Sequence, residues 1–199
     1  RNEPIPFRGR RLGLTICEDV WNDEDFWADR RYRRNPAADL VQAGADLLLN
    51  ISASPWHLGK ERTRRDMLAS LAAKARVPLL YCNLVGGNDE LVFDGASLAY
   101  DAQGRLLAEG ALFAEDFLLV DTEAAPIEAA PAPPEEEKVF RALSLGLRDY
   151  LHKCGFQSPV LGLSGGIDSA LVAALAVDAL GPANVRGVSL PSEFSSQGS

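Results

Sequence analysis

The segment "SPVLGLSGGIDSALVAALAVDALGPANVRGVSL" at 158–190 decides the fold. "PVLGL" is short and apolar, which predicts a strand. "DSALVAALAVDALG" follows with helical character and a glycine to stop it, and "VRGVSL" reads as a second strand. Strand, helix and strand at this spacing form one β-α-β unit, for which a right-handed parallel crossover is strongly favoured. An α/β chain containing a parallel sheet is therefore expected.

Between the first strand and the helix lies Ser-Gly-Gly-Ile-Asp-Ser, residues 164–169. Gly165 and Gly166 free the backbone to turn successive N–H groups toward one anion. The helix that follows offers its unpaired N–H groups and positive dipole end to the same anion. Ser164 and Ser169 add hydroxyl donors. Asp168 does not fit a bare phosphate site, because two negative groups repel unless a cation stands between them. A Mg²⁺ ion bridging Asp168 and phosphate oxygens resolves the conflict. The plainer alternative is a tight βα turn in which Asp168 or Ser169 caps the helix. The pattern matches neither the Gly-Lys-Ser/Thr phosphate loop nor the dinucleotide Gly-x-Gly-x-x-Gly turn.

Moving upstream, "EEEKVFRALSLGLRDYLHKCG" at 135–155 predicts an amphipathic helix. Its first-turn glutamates complement the dipole, and Val139, Leu143, Leu147, Tyr150 and Leu151 supply an apolar face. Before it, "TEAAPIEAAPAPPEEEK" at 122–138 concentrates Ala, Pro and Glu and reads as a semi-rigid linker. Three domains of sequence result: 1–121, a linker at 122–134, and 135–199. In the first, "RLGLTIC" (11–17) alternates as a strand, a helix runs from Pro36 toward Gly44, and "DLLLNIS" (46–52) is a buried strand. A helix follows from about Lys60 to Arg76, with Met67, Leu68, Leu71, Ala72 and Ala75 on one side. "VPLLYCNLV" (77–85) is a further strand, "GASLAYDAQGRLLAEG" (95–110) a hairpin, and "FLLVD" (117–121) closes the domain.

The chain has 199 residues, is 47% hydrophobic and 24% charged, and carries a net charge of −8, as a packed acidic protein would. That balance argues against a nucleic-acid or membrane-surface binder. The basic clusters "DRRYRR" (29–34) and "KERTRRD" (60–66) are mixed with acids and read as solvated surface. Cys17, Cys82 and Cys154 have no paired spacing, which fits a reducing, cytoplasmic setting and leaves Cys82 and Cys154 as core thiols. His57 and His152 are too isolated to be ligands. No apolar run reaches transmembrane length. The chain begins with Arg1 and its one methionine is Met67, so a piece of a longer polypeptide is expected.

"SGGIDSA" resembles the phosphate-binding PP-loop of the N-type ATP pyrophosphatases. The continuation "VRGVSLPSEFSSQGS" is similar to the NAD synthetases within that family. The resemblance implies that Gly162, Leu163, Ser164, Gly165, Gly166, Ile167, Asp168 and Ser169 bind ATP, with Asp168 also holding Mg²⁺.

A second resemblance lies upstream. Cys17 ends an apolar run, and a cysteine there is often a small buried hydrophobe. "GLTICEDVW", "NISASPWHLGKERTR" and "NLVGGNDELVFDGASLAYDAQGRLLAEG", however, resemble the nitrilase (carbon–nitrogen hydrolase) superfamily in order and spacing. The resemblance makes Cys17 the nucleophile of an amidase, working in the family with a Glu base and a Lys from segments upstream of the thiol. Of the glutamates, Glu3 alone precedes Cys17, and it stands in no matching motif. Ser54 and Lys60 match positions that bind glutamine in glutamine-dependent members. The family commonly has Arg at the place of Lys60. As plain structure, Ser54 would be a turn residue and Lys60 a surface charge.

The fold expected is thus α/β: the C-terminal part of a nitrilase-like αββα sandwich, then the start of a parallel-sheet PP-loop (adenine nucleotide alpha hydrolase-like) domain. Together the resemblances imply ammonia release from glutamine and ATP-dependent, Mg²⁺-assisted amidation of nicotinic acid adenine dinucleotide, by a homo-oligomer when full length. A stand-alone amidase and a catalytically inert fragment remain the alternatives.

Overall fold

The computed structural model describes residues 3–23, 26 and 33–190. It divides into two compact units, one of residues 1–85 and 93–132, the other of residues 86–92 and 133–199. Among the described residues no helix is long and apolar enough to cross a membrane.

The first unit is built on a six-stranded sheet of order β1-β2-β3-β4-β7-β8. Its strands are β1 (Ile5–Phe7), β2 (Arg10–Ile16), β3 (Leu47–Ser52), β4 (Leu79–Asn83), β7 (Leu98–Tyr100) and β8 (Leu106–Glu109). β2, β3 and β4 run parallel, as α-helical crossovers require, and the remaining pairs are antiparallel. The crossovers contain α1 (Pro36–Gln42) and α2 (Lys60–Ala75). Asn35 caps α1 by accepting the Ala38 N–H at 3.1 Å, and proline fills its first position. α2 ends on Arg76 in the left-handed region. Its Met67, Leu68, Leu71 and Ala72 are buried in one core with Leu40, Leu48, Leu79 and Tyr81.

Which face of the sheet meets that core differs from the sequence expectation. On β2 the buried residues are Gly13 and Thr15, whereas Leu14 and Ile16 are exposed. The register explains it. Gly13 aligns with Leu48, and Thr15 with Asn50, on the side covered by the helices. Gly13 is needed there, since a Cβ would lie 2.8 Å from a methyl of Leu48. The opposite side carries Ile16 and Ile51, which are 69% and 64% exposed, and Cys82 beside them. Cys82 is therefore no core thiol, and neither is exposed Cys154.

The expected strand over 77–85 also stops early. Leu84 leaves the sheet, and a hairpin of β5 (Val85–Asn88) and β6 (Leu91–Asp94) follows, with Asp89 at φ +51 near its tip. The 117–121 segment closes the unit without regular structure, and Phe117 and Leu119 are exposed.

The second unit joins hairpin residues 86–92 to α3 (Glu135–Lys153), β9 (Val160–Gly162), α4 (Ile167–Leu180) and β10 (Arg186–Val188). β9 and β10 pair in parallel across α4, giving the expected β-α-β unit. The hairpin is held on α3 by its backbone. Gly87 N–H donates to Asp149 Oδ2 at 2.8 Å, and Lys153 Nζ donates to the Gly87 carbonyl. Glycine is required at 87, where a Cβ would lie 2.9 Å from the Cα of Gly146. α3 buries Lys138, Ala142, Ser144, Leu145 and Leu151, while Leu143 and Tyr150 are exposed. The buried face is thus rotated from the stripe expected, because small residues (Ala142, Ser144, Gly146) permit the close approaches. Residues 191–199, including the similar "PSEFSSQGS" segment, lie outside the described residues.

Candidate functional site

In the first unit, Cys17 is not the last residue of β2 but the first of a short 3-10 turn, Cys17–Val20. Its φ is +46°, in the left-handed region that non-glycine residues occupy at a cost of about 1–3 kcal/mol. Polar partners hold it there. Asp19 Oδ2 accepts the Ile16 N–H at 2.8 Å, and the Trp21 N–H donates to the Glu18 carbonyl at 2.8 Å. Asn50 Nδ2 donates to Thr15 Oγ1 at 3.0 Å and reaches the Cys17 carbonyl at 3.4 Å. The thiol is partly accessible and directed at the Ala53 carbonyl, 3.9 Å away. A small hydrophobe filling space has no use for this conformation. It suits a side chain that must project from the carboxyl end of a parallel strand.

Ala53 leads directly to Ser54, whose N–H donates to Asn83 Oδ1 at 3.0 Å. Ser54 is buried, and Pro55 next to it bridges to Phe93. Lys60 opens α2, and its ammonium lies 5.1 Å from the centre of the Trp21 ring, a cation–π contact. Burial is the main cause that lowers the Lys60 pKa, and the positive charge of Arg64 one turn along adds to it. The charges of Asp94, Cys17 and Glu18 pull the other way, so Lys60 lies in the field of the thiol. Cys17, the Ser54 loop and Lys60 are therefore brought to one end of the sheet.

Sequence reasoning missed what stands behind them. Arg64, read as part of a solvated basic cluster, is 1% exposed and pairs through both guanidinium arms with Asp94, which is 0% exposed. The Arg64 guanidinium also lies 5.8 Å from the Tyr81 ring centre. Asn83 Nδ2 donates to Asp94 Oδ1 at 3.0 Å and to the Gly95 carbonyl at 2.9 Å. Asn50 and Asn83 each interrupt an apolar strand, "LLLNIS" and "LLYCN", and that interruption was the readable signal. Of the other basic cluster, residues 29–32 lie outside the described residues, and exposed Arg34 pairs with Asp39 at 2.7 Å.

In the second unit, the 164–169 turn joins β9 to α4. Gly165 has φ +79° and needs to be glycine, but Gly166 has φ −88° and does not. Gly166 itself caps α4, without a side-chain bond, so Asp168 and Ser169 are not the cap. Ser169 is occupied inside the turn: its hydroxyl donates to the Gly166 carbonyl at 3.0 Å and lies 3.2 Å from Ser164 Oγ. Ser164 Oγ accepts the Gly166 N–H at 3.4 Å. Asp168 is exposed in the first turn of α4. No cluster of three or more His, Cys, Asp or Glu able to hold a metal occurs among the described residues. A Mg²⁺ ion needs no such cluster, since it is usually held by one or two carboxylates with waters and substrate phosphates.

A strained thiol at the carboxyl end of a parallel strand, on a sheet backed by two crossover helices, marks this as an α/β unit with a candidate nucleophile. A carbon–nitrogen hydrolase family profile matches residues 3–132, and the chain belongs to that family. An NAD synthase profile matches residues 139–199. The chain is similar to glutamine-dependent NAD(+) synthetases from Synechocystis (46% identity, 98% of this chain, 36% of that protein) and Thermotoga maritima (40%, 94% and 37%). It therefore spans little more than a third of the length of these curated relatives. Among solved structures, the Acinetobacter baumannii glutamine-dependent NAD+ synthetase in complex with ADP superposes with a TM-score of 0.83 at 34% identity, over 98% of this chain and 36% of that one. The Cytophaga hutchinsonii enzyme gives 0.63 at 28%, over 88% and 26%.

Proposed function

We propose that this chain is part of an enzyme that releases ammonia from glutamine and uses it, with ATP, to convert nicotinic acid adenine dinucleotide to NAD. The observation that carries the reading is the presence on one chain of a strained, accessible thiol at Cys17 and a glycine turn at 164–169. Residues 1–121 belong to the glutaminase, 122–134 to a linker, and 135–199 to the ATP-dependent domain.

At the first site, Cys17 Sγ adds as thiolate to the carboxamide carbon of glutamine. The C–N bond breaks, nitrogen takes a proton, and ammonia leaves a glutamyl thioester. Water then adds, the C–S bond breaks, and glutamate and the thiol are restored. The cation of Lys60 meets the substrate's α-carboxylate, and the Ser54 loop forms the adjoining wall.

At the second site, residues 162–169 cradle the ATP phosphates, with Gly165 shaping the turn and the N-terminus of α4 supplying N–H groups. Asp168 would hold Mg²⁺, whose chemistry there is neutralisation of the crowded phosphates. The dinucleotide's carboxylate is activated as an adenylate with loss of pyrophosphate, and ammonia displaces AMP. We further propose a cytoplasmic homo-oligomer that uses neither nucleic acid nor membrane as partner.

The test is NAD formation by the full-length gene product containing these residues, with either nitrogen donor. Cys17→Ala should abolish glutamine-supported synthesis and leave ammonia-supported synthesis intact. Failure of ammonia to rescue the variant would assign Cys17 a structural role and overturn the reading.

A further inference from the structure

Ser54 and Lys60 come from different segments, a loop after β3 and the first turn of α2, yet both must face one substrate. A buried polar chain ties those segments together. Asn83, 7% exposed, accepts the Ser54 N–H through Oδ1 and spends both protons of Nδ2 on Asp94 Oδ1 and the Gly95 carbonyl. The Tyr81 hydroxyl approaches the same Oδ1 at 3.5 Å, and the Asn83 N–H donates to Ser97 Oγ at 3.0 Å. Asp94 continues the chain to Arg64, which stands one helical turn beyond Lys60. Every polar atom of the Asn83 amide is thereby used, and its orientation is fixed by partners on three separate segments.

We propose that Asn83 is a positioning residue for the amide substrate, setting through Asp94 and Arg64 the spacing between the Ser54 loop and Lys60. The proposal rests on the glutaminase reading of Cys17, Ser54 and Lys60. Its physical basis is that a fixed spacing between two binding groups governs recognition of a substrate with two ends, here a carboxamide and an α-carboxylate. Asn83 does not meet the substrate itself. It acts by keeping the Ser54 peptide at hydrogen-bond distance from a support that is anchored on α2. The backbone at Cys17 is held by other partners, Asn50 on the Cys17 carbonyl and Asp19 on the Ile16 N–H, while the thiol meets the carbonyl of the Ala53–Ser54 peptide whose N–H Asn83 accepts.

Two variants of the full-length gene product test this. Asn83→Ala removes every contact of the amide. Asn83→Leu keeps the bulk of the side chain without adding a charge beside Asp94, and loses every hydrogen bond. Three quantities are read: KM and kcat for glutamine hydrolysis, the alkylation rate of Cys17 by iodoacetamide followed at the Cys17 peptide, and the protection that glutamine gives against alkylation. Loss of one orienting hydrogen bond corresponds to about a tenfold change in affinity. The expected result is a glutamine KM raised about tenfold in both variants, weaker protection in proportion, and an alkylation rate without glutamine that changes by far less than the KM, with Cys17 still the residue modified. An unchanged KM and unchanged protection overturn the proposal. A loss of alkylation selectivity at Cys17 together with activity also overturns it, because Asn83 would then be holding the fold. Should the unsubstituted protein neither hydrolyse glutamine nor show protection by it, the glutaminase reading falls and this proposal with it.

Discussion

The Arg64–Asp94 pair makes a quantitative demand. Both side chains are shut from water, at 1% and 0% exposure, and are joined through two guanidinium–carboxylate hydrogen bonds. Substituting Asp94→Leu strands a guanidinium that has no water to replace the carboxylate. Breaking a buried pair from one side costs about 3–5 kcal/mol. Asn83 suffers less, because its second proton keeps the Gly95 carbonyl. Against a total stability of about 5–15 kcal/mol, the single substitution consumes about a fifth or more of what holds this unit folded. The double variant Arg64→Met, Asp94→Leu removes both charges and should recover most of the loss. The assay is urea unfolding of the chain, monitored by tryptophan fluorescence. All three tryptophans (Trp21, Trp27 and Trp56) belong to residues 1–85, so the signal reports that unit alone. A loss of 4 kcal/mol corresponds to a midpoint about 2 M lower in urea. A single-variant loss below about 1 kcal/mol, or a double variant as unstable as the sum of the two singles, would refute the argument.

Asp168→Asn removes the charge and leaves the size of the side chain. Because Asp168 is not the cap of α4, stability should be unchanged while NAD synthesis falls by orders of magnitude with either nitrogen donor; wild-type synthesis at limiting Mg²⁺ removes the metal role. Gly165→Ala should cost about 1 kcal/mol of strain at φ +79° and weaken ATP binding; a thermal unfolding midpoint equal to that of the unsubstituted protein would contradict the assignment. The proton of Lys60 is lost at a lower pH than the 10.5 ordinary to lysine, first through burial and then through Arg64. The cation holds a carboxylate only while protonated, so glutamine KM should rise with pH before that ordinary value. Lys60→Arg should remove that alkaline limb, as a pH–KM profile would show.

The parts of the fold legible in the sequence are those coded over short range. Asn35-Pro36 opened α1, Met67, Leu68, Leu71 and Ala72 traced α2, and the strand–glycine–helix order of 159–181 gave the β-α-β unit. Facing was not legible, because alternation in β2 divides the strand into two sides without saying which one α1 and α2 cover. The hairpin at 85–94 was readable in principle from "GGND", but an apolar run continuing to Val85 masked the break at Leu84. Arg64 and Asp94 lie 30 residues apart and carry no local sign of their pairing. The same limit applied at the site. The proposals for Cys17 and Asp168 start from their sequence neighbours, while the contacts of Asn50 and Asn83 depend on strands brought together only in the folded sheet.

The hairpin at 86–92 has a consequence for modularity. Its residues group with 133–199, although they are encoded between β4 and β7 of the other unit. A gene cut within the linker would therefore not yield two self-sufficient pieces. The downstream piece would lack the backbone partner that Asp149 and Lys153 of α3 hold at Gly87. Recombination that exchanged one unit for a foreign counterpart would have to carry this short insert along, or supply a matching one. The two halves of the chain are thus constrained to be inherited together, by a loop rather than by the join between them.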